Sequence, residues 1–136
     1  MDFLTSMKLA ASGLRAQSGR MRIIAENIAN ADSTGTTKGA DPYRRKMPSF
    51  QATLDRETGA SVVELGPVRT DRSDFKSRFE PGHPAADANG YVKLPNVNAL
   101  IETVDMRQAQ RSYEANLNVI QSTRTMMQRT LDILRG

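Results

Sequence analysis

Residues 98–134 read NALIETVDMRQAQRSYEANLNVIQSTRTMMQRTLDIL, and this stretch decides the fold. It contains no proline or glycine, and its large apolar residues recur every seven positions, as they do along one face of a helix. The main track is Met106, Tyr113, Ile120, Met127 and Leu134, with Leu117 and Leu131 beside it and Val119, Met126 and Ile133 on the other flank. The pattern predicts one long amphipathic helix that Asn98 can cap.

A second long helix is predicted near the other end, over residues 2–30. Its apolar residues also recur every seven positions, at Met7, Leu14, Met21 and Ile28, and on a parallel track at Phe3, Ala10 and Ile24. Asp2 is placed to cap the first free amides of this helix. Gly13 and Gly19 each cost about 1 kcal/mol of helix stability relative to alanine, so the helix needs a packing partner.

The middle of the chain has a different composition. All six prolines and six of the nine glycines lie between residues 32 and 95. We expect short strands at Ser61–Leu65, Asp74–Phe79 and Tyr91–Leu94, and a type I′ turn at Asn89-Gly90. The predicted fold is therefore mainly α, with long terminal helices that pair as an antiparallel coiled coil around a small irregular, β-containing insertion. The predicted boundaries are 1–31 for the first helix, 32–95 for the middle and 96–136 for the last helix.

The composition excludes several classes of protein. The chain has 136 residues, is 38% hydrophobic and contains neither tryptophan nor cysteine. Disulfide scaffolds and thiolate sites are impossible, and a dense core around a deep pocket is not expected. No apolar run reaches the roughly 18–20 residues of a transmembrane helix, and the N-terminal residues lack the pattern of a cleaved secretory signal. We expect a protein that does not span a membrane.

A catalytic site is not expected either. His83 is the only imidazole, and a lone histidine in a loop is usually solvated. Two carboxylate pairs, Asp71 with Asp74 and Glu102 with Asp105, are better explained by a solvated loop and by a helix first turn. The glycines and lysine of residues 33–39 do not have the spacing of a phosphate-binding loop. We predict no enzyme activity, no cofactor and no metal site.

Two interpretations remain after these exclusions. Arg44, Arg45 and Lys46 follow Tyr43 and form the one basic cluster, which allows a small basic adaptor that binds nucleic acid or acidic protein partners. The net charge of +4 is small, however, because 19 basic residues face 15 acidic ones. The three apolar tracks of the C-terminal helix exceed what one helical partner covers, which favours a multi-helix assembly without nucleic acid.

Two separated motifs resemble those of a known family. Ser12-Gly13-Leu14 followed by residues 24–30, IAENIAN, is similar to the N-terminal signature of the bacterial flagellar axial proteins, which form rod and hook. Residues 91–98, YVKLPNVN, and 111–116, RSYEAN, resemble the C-terminal signature. Within the family, residues 42–46, PYRRK, and a threonine after Gly35 resemble the proximal rod proteins rather than distal rod or hook proteins.

The resemblance implies a structural role. In the family, the terminal helices pair and stack with neighbouring subunits into a tube that crosses the periplasm and transmits motor torque to the hook. Implied partners are other rod proteins, copies of the same chain, ring or export-gate adaptor proteins at the rod base, and the flagellar type III export machinery, which carries subunits unfolded. The implied location is the rod of the flagellar basal body.

We expect the assembly interface to lie on both helices. The residues assigned to it are Met7, Leu14, Met21, Ile24, Asn27, Ile28 and Asn30 on the first helix, and Tyr113, Glu114, Asn116, Leu117, Ile120, Met127, Leu131 and Leu134 on the second. Asn27, Asn30 and Asn116 are amides near apolar faces. Our hypothesis is that they bond the pairing helix or an adjacent subunit and set the register, the alternative being that Asn27 and Asn30 merely end the first helix.

Overall fold

The computed structural model describes residues 2–136, in which two long helices flank six short strands. Helix α1 covers Phe3–Ala29 and helix α2 covers Ala99–Arg135. The predicted helices and both caps are confirmed: the Thr5 amide donates to the Asp2 carboxylate at 2.7 Å, and the Leu100 amide donates to the Asn98 side chain at 3.1 Å. The hydrogen bonds from Thr5 lower the pKa of Asp2.

The strands form three separate antiparallel pairs. They are β1 (Lys46–Met47) with β4 (Arg69–Thr70), β2 (Phe50–Leu54) with β3 (Ser61–Leu65), and β5 (Lys76–Phe79) with β6 (Tyr91–Leu94). The sequence predicted β3 and β6 with these bounds and β5 with two extra residues at its start. It did not predict β1 or β4, which have two residues each and are too short to show a pattern, and it missed β2, although Phe50, Ala52 and Leu54 alternate there with polar residues.

The predicted type I′ turn is wrong. Such a turn needs a positive φ at both central residues, and in the described chain only glycines have one: Gly90 has φ +85°, whereas Asn89 does not. Asp87 organises the connection instead, because its carboxylate accepts the amides of Asn89 at 2.9 Å and Tyr91 at 3.0 Å. An aspartate that captures backbone amides in this way makes its own turn geometry.

The described residues divide into two compact units. The first contains α1 up to Met21, the β2–β3 hairpin and α2 from Arg107 onward. Its two helical segments run in opposite directions, since Gly13 faces Asn116 and the Arg20 guanidinium donates to the Gln108 side chain at 3.2 Å. The buried residues of this unit are small: Ala10, Ser12, Gly13 and Ala16 on α1, Gly66 after β3, and Ala109 and Thr123 on α2.

The hairpin of the first unit is attached to α1 by charge and by close packing. Lys8 forms ion pairs with Asp55, at 3.8 Å, and with Glu57, both in the hairpin turn. Gly19 leaves room for Leu65 of β3, because a Cβ atom at Gly19 would lie 2.9 Å from the leucine side chain. This glycine therefore has a packing role that offsets its cost to the helix.

The second unit contains α1 from Arg22, the strand pairs β1–β4 and β5–β6, and the first turns of α2. Its buried apolar side chains are few: Ile23, Ile24, Ala85, Ala86, Val92, Pro95 and Val97. Because the chain has few apolar residues, hydrogen bonds and ion pairs hold much of this unit together. Across the described residues, neither helix combines the length and apolarity that crossing a bilayer needs.

Candidate functional site

The most connected group of side chains is a polar hub in the second unit, made of Asn27, Tyr43, Arg45, Lys46 and Glu102. Asn27 is fully buried at its centre. Its amide nitrogen donates to the Lys46 carbonyl at 2.8 Å, while its oxygen accepts the Lys46 amide at 3.0 Å and the Tyr43 hydroxyl at 2.6 Å. Asn27 thus bonds both the amide and the carbonyl of Lys46 in β1, and so holds the segment that follows α1 in place.

A buried ion pair joins the hub to α2. The Glu102 side chain is only 1% exposed and binds the Arg45 guanidinium, and the Asn27 amide lies 3.4 Å from its second oxygen. Burial alone would lower the pKa of Arg45, but the bonds to Glu102 and Asp71 outweigh burial and raise it. The pKa of Asp71 is lowered, first by the Ser73 amide and then by Arg45. Since a buried charge needs a partner, Glu102 and Arg45 depend on each other.

The basic cluster of the sequence is occupied within the chain. Arg44 lies 4.0 Å from the centre of the Phe75 ring and donates to the carbonyls of Asp71 and Ser73. Arg45 belongs to the buried pair, and Lys46 binds Glu26 at 2.6 Å. These three cations therefore do not form a free basic surface for nucleic acid.

The residues assigned to the assembly interface fall into three groups. Ile24 and Asn27 are buried in the second unit. The half-buried ones are Met7, Leu14, Met21, Ile28, Asn30, Tyr113, Asn116, Ile120 and Met127. The exposed ones are Glu114, Leu117, Leu131 and Leu134. Further bulky apolar residues of α2 are exposed beside them: Leu100, Ile101, Val104, Val119, Met126 and Ile133.

The three asparagines differ in what they bind. Only Asn27 reaches beyond its own helix, through the hub contacts that include Glu102 of α2. Asn30 and Asn116 donate to carbonyls one turn earlier in their own helices, those of Glu26 and Ser112, at 2.9 Å each. Within the chain, Asn27 alone bonds the other helix, Asn116 packs on Gly13 without such a bond, and the register hypothesis stays a prediction.

Comparison with known proteins decides the family. A model of the flagella basal body rod protein matches residues 7–36, and one of the flagellar basal body rod FlgEFG protein C-terminal region matches residues 88–133. The flagellar basal-body rod protein FlgC of Agrobacterium fabrum is 56% identical over 137 residues, covering 100% of this chain and 99% of the relative. The chain belongs to the FlgC family of flagellar basal-body rod proteins.

More distant FlgC proteins match over the same length. That of Salmonella typhimurium is 41% identical over 133 residues, with 98% of each chain covered. That of Bacillus subtilis is 36% identical over 148 residues, with 98% of this chain and 99% of the relative covered. This FlgC-family chain is thus a structural subunit of the basal-body rod. Asn27 and Glu102, the long-range contact of the hub, lie one in each matched range.

The Tyr43 hydroxyl of this FlgC-family chain gives a prediction on stability and pH. Burial, followed by the charges of Glu26 and Glu102, raises its pKa from 10.0 to about 12. Because the folded state holds this proton more tightly, its contribution to stability is complete below pH 10 and lost as the pH rises towards about 12. Tyr43→Phe should lower the unfolding free energy by about 1 kcal/mol at pH 7, and it should remove the loss of stability between pH 10 and about 12. Denaturant titrations at pH 7 and within that alkaline range will measure both effects.

Gly13 gives a prediction on the helix contact of the FlgC-family chain. A Cβ atom there would lie 2.7 Å from the Asn116 amide group, so a larger residue must displace that side chain from its bond to the Ser112 carbonyl or move α2 away. Gly13→Val should lower the unfolding free energy by about 1–3 kcal/mol, the usual cost of overpacking. Gly82→Ala is the control, since a Cβ atom there has open space. Equal stability of the two variants in urea titrations would contradict the close approach.

Proposed function

We propose that the chain is a subunit of the proximal part of the rod, in which its terminal helices act as one antiparallel coiled coil and pack against copies of the chain and other rod proteins. The observation that carries the proposal is the exposed apolar surface of α2, defined by Leu100, Ile101, Val104, Leu117, Val119, Met126, Leu131, Ile133 and Leu134. Soluble monomers rarely expose so many bulky apolar side chains along one element, and such surfaces mark sites of association.

The separation of α2 into a covered face and an exposed face supports the proposal that the terminal helices pair as a coiled coil. Glu102, Ala109, Asn116 and Thr123 recur every seven residues and are buried or half-buried, as are Met106, Tyr113, Ile120 and Met127 on the neighbouring track and Asp105 and Ser112 beside them. Ala109 and Thr123 on this track are small and let two helices approach closely, while a seven-residue repeat keeps the contact on one face. The bulky residues outside this track are then left for other subunits.

The end of α2 supports packing against another subunit. From the contact between Gly13 and Asn116, ten residues back along α1 reach Phe3, and ten residues forward along α2 reach Met126. Residues 128–135 of α2 therefore extend about 12 Å past the first turn of α1, and all of them are exposed. An overhanging helix end with Leu131, Ile133 and Leu134 on it suits insertion between helices of a neighbouring chain.

The remaining elements of the proposal follow from the family. The assembled helices form the shaft that passes torque to the hook, and the subunits reach it unfolded through the flagellar type III apparatus. Ring or export-gate adaptor proteins are partners at the rod base. The role is structural rather than enzymatic and uses no cofactor. The polar hub suits a shaft because it joins the segment after α1 to the start of α2 by oriented hydrogen bonds that resist sliding.

Complementation tests the proposal. The chain is expressed in an Agrobacterium fabrum strain from which its own FlgC has been deleted. This host is chosen because its FlgC is 56% identical to the chain and matches it over its full length. We expect swimming to be restored and the chain to be present in purified hook–basal bodies. Stable expression without basal bodies would contradict a rod function. Co-sedimentation of the purified chain with DNA at physiological salt would instead favour the basic-adaptor interpretation.

A further inference from the structure

The connection between β5 and β6 is well held at its base and loosely held at its tip. At the base, His83 is not the solvated loop histidine that the sequence predicts: it is half-buried, and its Nδ1 accepts the Ala85 amide at 3.0 Å. Ala85 in turn lies in a small buried apolar cluster with Val92. At the tip, Asn89 is exposed, and its side-chain amide makes no hydrogen bond to any of the described residues. The Asn89 side chain is therefore free to rotate towards the neighbouring backbone.

The fold requires a glycine directly after Asn89. Gly90 has φ +85°, a backbone conformation that residues with a side chain rarely adopt. A Cβ atom there would also lie 2.8 Å from the Phe79 ring and 3.2 Å from Pro81. Because Gly90 has no side chain, its backbone nitrogen is not shielded by one. The turn thus fixes an Asn-Gly pair, and this pair is the only one in the chain, since the other six asparagines precede larger residues.

We propose that Asn89 is a site of deamidation, with water as its only co-reactant. The Gly90 nitrogen attacks Cγ of Asn89, the bond from Cγ to Nδ2 breaks, and ammonia leaves with the proton of the Gly90 amide. Water then opens the resulting cyclic imide. Addition of water at Cγ gives aspartate, and addition at the backbone carbonyl carbon gives isoaspartate, in which the chain runs through the side chain. The inference goes beyond the rod function and does not depend on it.

The closed turn slows this reaction in the folded chain. The Gly90 amide donates to the Asp87 carbonyl at 3.0 Å, so its nitrogen is released only when the turn opens. The Asp87 carboxylate holds the turn closed, because it accepts the amides of Asn89 at 2.9 Å and of Tyr91 at 3.0 Å. Exposed turns open locally at a free energy far below that of global unfolding. The folded chain therefore reacts through local opening, more slowly than the unfolded chain.

The two products affect the turn differently. Aspartate keeps the backbone and adds a charge at an exposed position. Isoaspartate inserts one methylene group into the backbone between Asp87 and Tyr91, so the Tyr91 amide and carbonyl, which bond Asp87 at 3.0 Å and 2.9 Å, no longer align with it. The β5–β6 pair then lacks the turn that fixes its register. Hydrogen exchange should show a protected Tyr91 amide in the Asn89→Asp variant and an unprotected one in the isoaspartate form.

Incubation of the purified full chain at mildly alkaline pH tests the proposal. The chain is kept folded in buffer or unfolded in urea, and peptide mass spectrometry follows the conversion of each asparagine amide into an acid. Asn118 is the internal reference, because it is also exposed but precedes Val119. Asn89→Gln is the matched variant, since it keeps a side-chain amide whose extra methylene group disfavours ring closure. Asp87→Ala removes the carboxylate that holds the turn closed.

In the folded wild type, we expect Asn89 to convert before any change is detected at Asn118. The conversion should be about tenfold slower than in urea, which corresponds to about 1.4 kcal/mol for opening the turn. Asp87→Ala should remove much of this difference, and Asn89→Gln should not convert. An Asn89 that converts in urea but stays as intact as Asn118 in the folded chain would overturn the proposal, as would equal rates of conversion in Asn89→Gln and the wild type.

Discussion

Arg45→Met is expected to lower the unfolding free energy by about 3–5 kcal/mol, because it leaves the buried Glu102 carboxylate without its cation. Total stabilities of small proteins are about 5–15 kcal/mol, so this variant will lose a large part of its folded population. The loss should concern the second unit first, where Glu102 and Asn27 lie. Urea titrations followed by circular dichroism and by hydrogen exchange of β6 will measure it.

The controls for this prediction separate burial from charge. Lys93→Met removes a cation from the exposed pair with Asp41 and should cost no more than about 1 kcal/mol. The double variant Arg45→Met/Glu102→Leu removes both buried charges and should regain most of the stability that the single variant loses, since the penalty comes from the unpaired carboxylate. An Arg45→Met variant as stable as Lys93→Met would show that the buried pair does not hold the hub together.

Leu134→Asp is expected to abolish rod assembly while the free chain keeps its fold. Leu134 is 78% exposed on the overhanging end of α2, so the substitution should change the unfolding free energy of the free chain by only about 0.5 kcal/mol. In the proposed assembly the same position is buried, and an unpaired carboxylate there costs several kcal/mol in every subunit. Swimming and the yield of hook–basal bodies in complemented cells will measure the effect.

Thr130→Asp is the matched control, since it adds the same charge near the end of the same helix at an exposed polar position. The helix dipole disfavours both added charges by at most about 1 kcal/mol, so a loss of assembly with Leu134→Asp alone belongs to the apolar surface. Ile120 and Met127 are less suitable sites, because they are half-buried within the chain and their substitution also affects folding. Normal motility with Leu134→Asp would show that the overhanging end of α2 is not part of the assembly interface.

The helices were predictable because their signals are local. Seven-residue spacing and the caps Asp2 and Asn98 depend only on neighbouring residues, and the observed helices agree with the periodic stretches 2–30 and 98–134 to within one residue. The inner face of α2 was harder to predict, because hydrophobic periodicity marks the bulky apolar residues. Part of the covered surface consists instead of the small or polar residues Ala109, Asn116 and Thr123. A seven-residue repeat of small and polar residues is the signal that would have found it.

The hub and the contacts of His83 were not predictable from local patterns. Glu102 lies in the first turn of α2, where the helix dipole favours an acidic residue. The dipole alone accounts for an acidic residue there, so the sequence did not indicate that Glu102 has a basic partner. Its pairing with Arg45 joins residues 57 positions apart, and the His83–Thr34 contact joins residues 49 positions apart. Such contacts depend on how the middle segment folds back, and its turns are set by side chains such as Asp87 rather than by the dipeptide Asn89-Gly90.

The contact between Asn27 and Glu102 also sets the order in which the chain acquires structure. Asn27 finds its other partners within 20 positions, but Glu102 lies 75 positions from Asn27 and 57 from Arg45, so this buried carboxylate is satisfied only after a long loop has closed, and closure of long loops is slow. The β2–β3 hairpin, by contrast, pairs residues within one short stretch and forms early. A chain that emerges N-terminus first from any narrow passage therefore stays incomplete until residue 102 has appeared, which gives its folding a built-in delay.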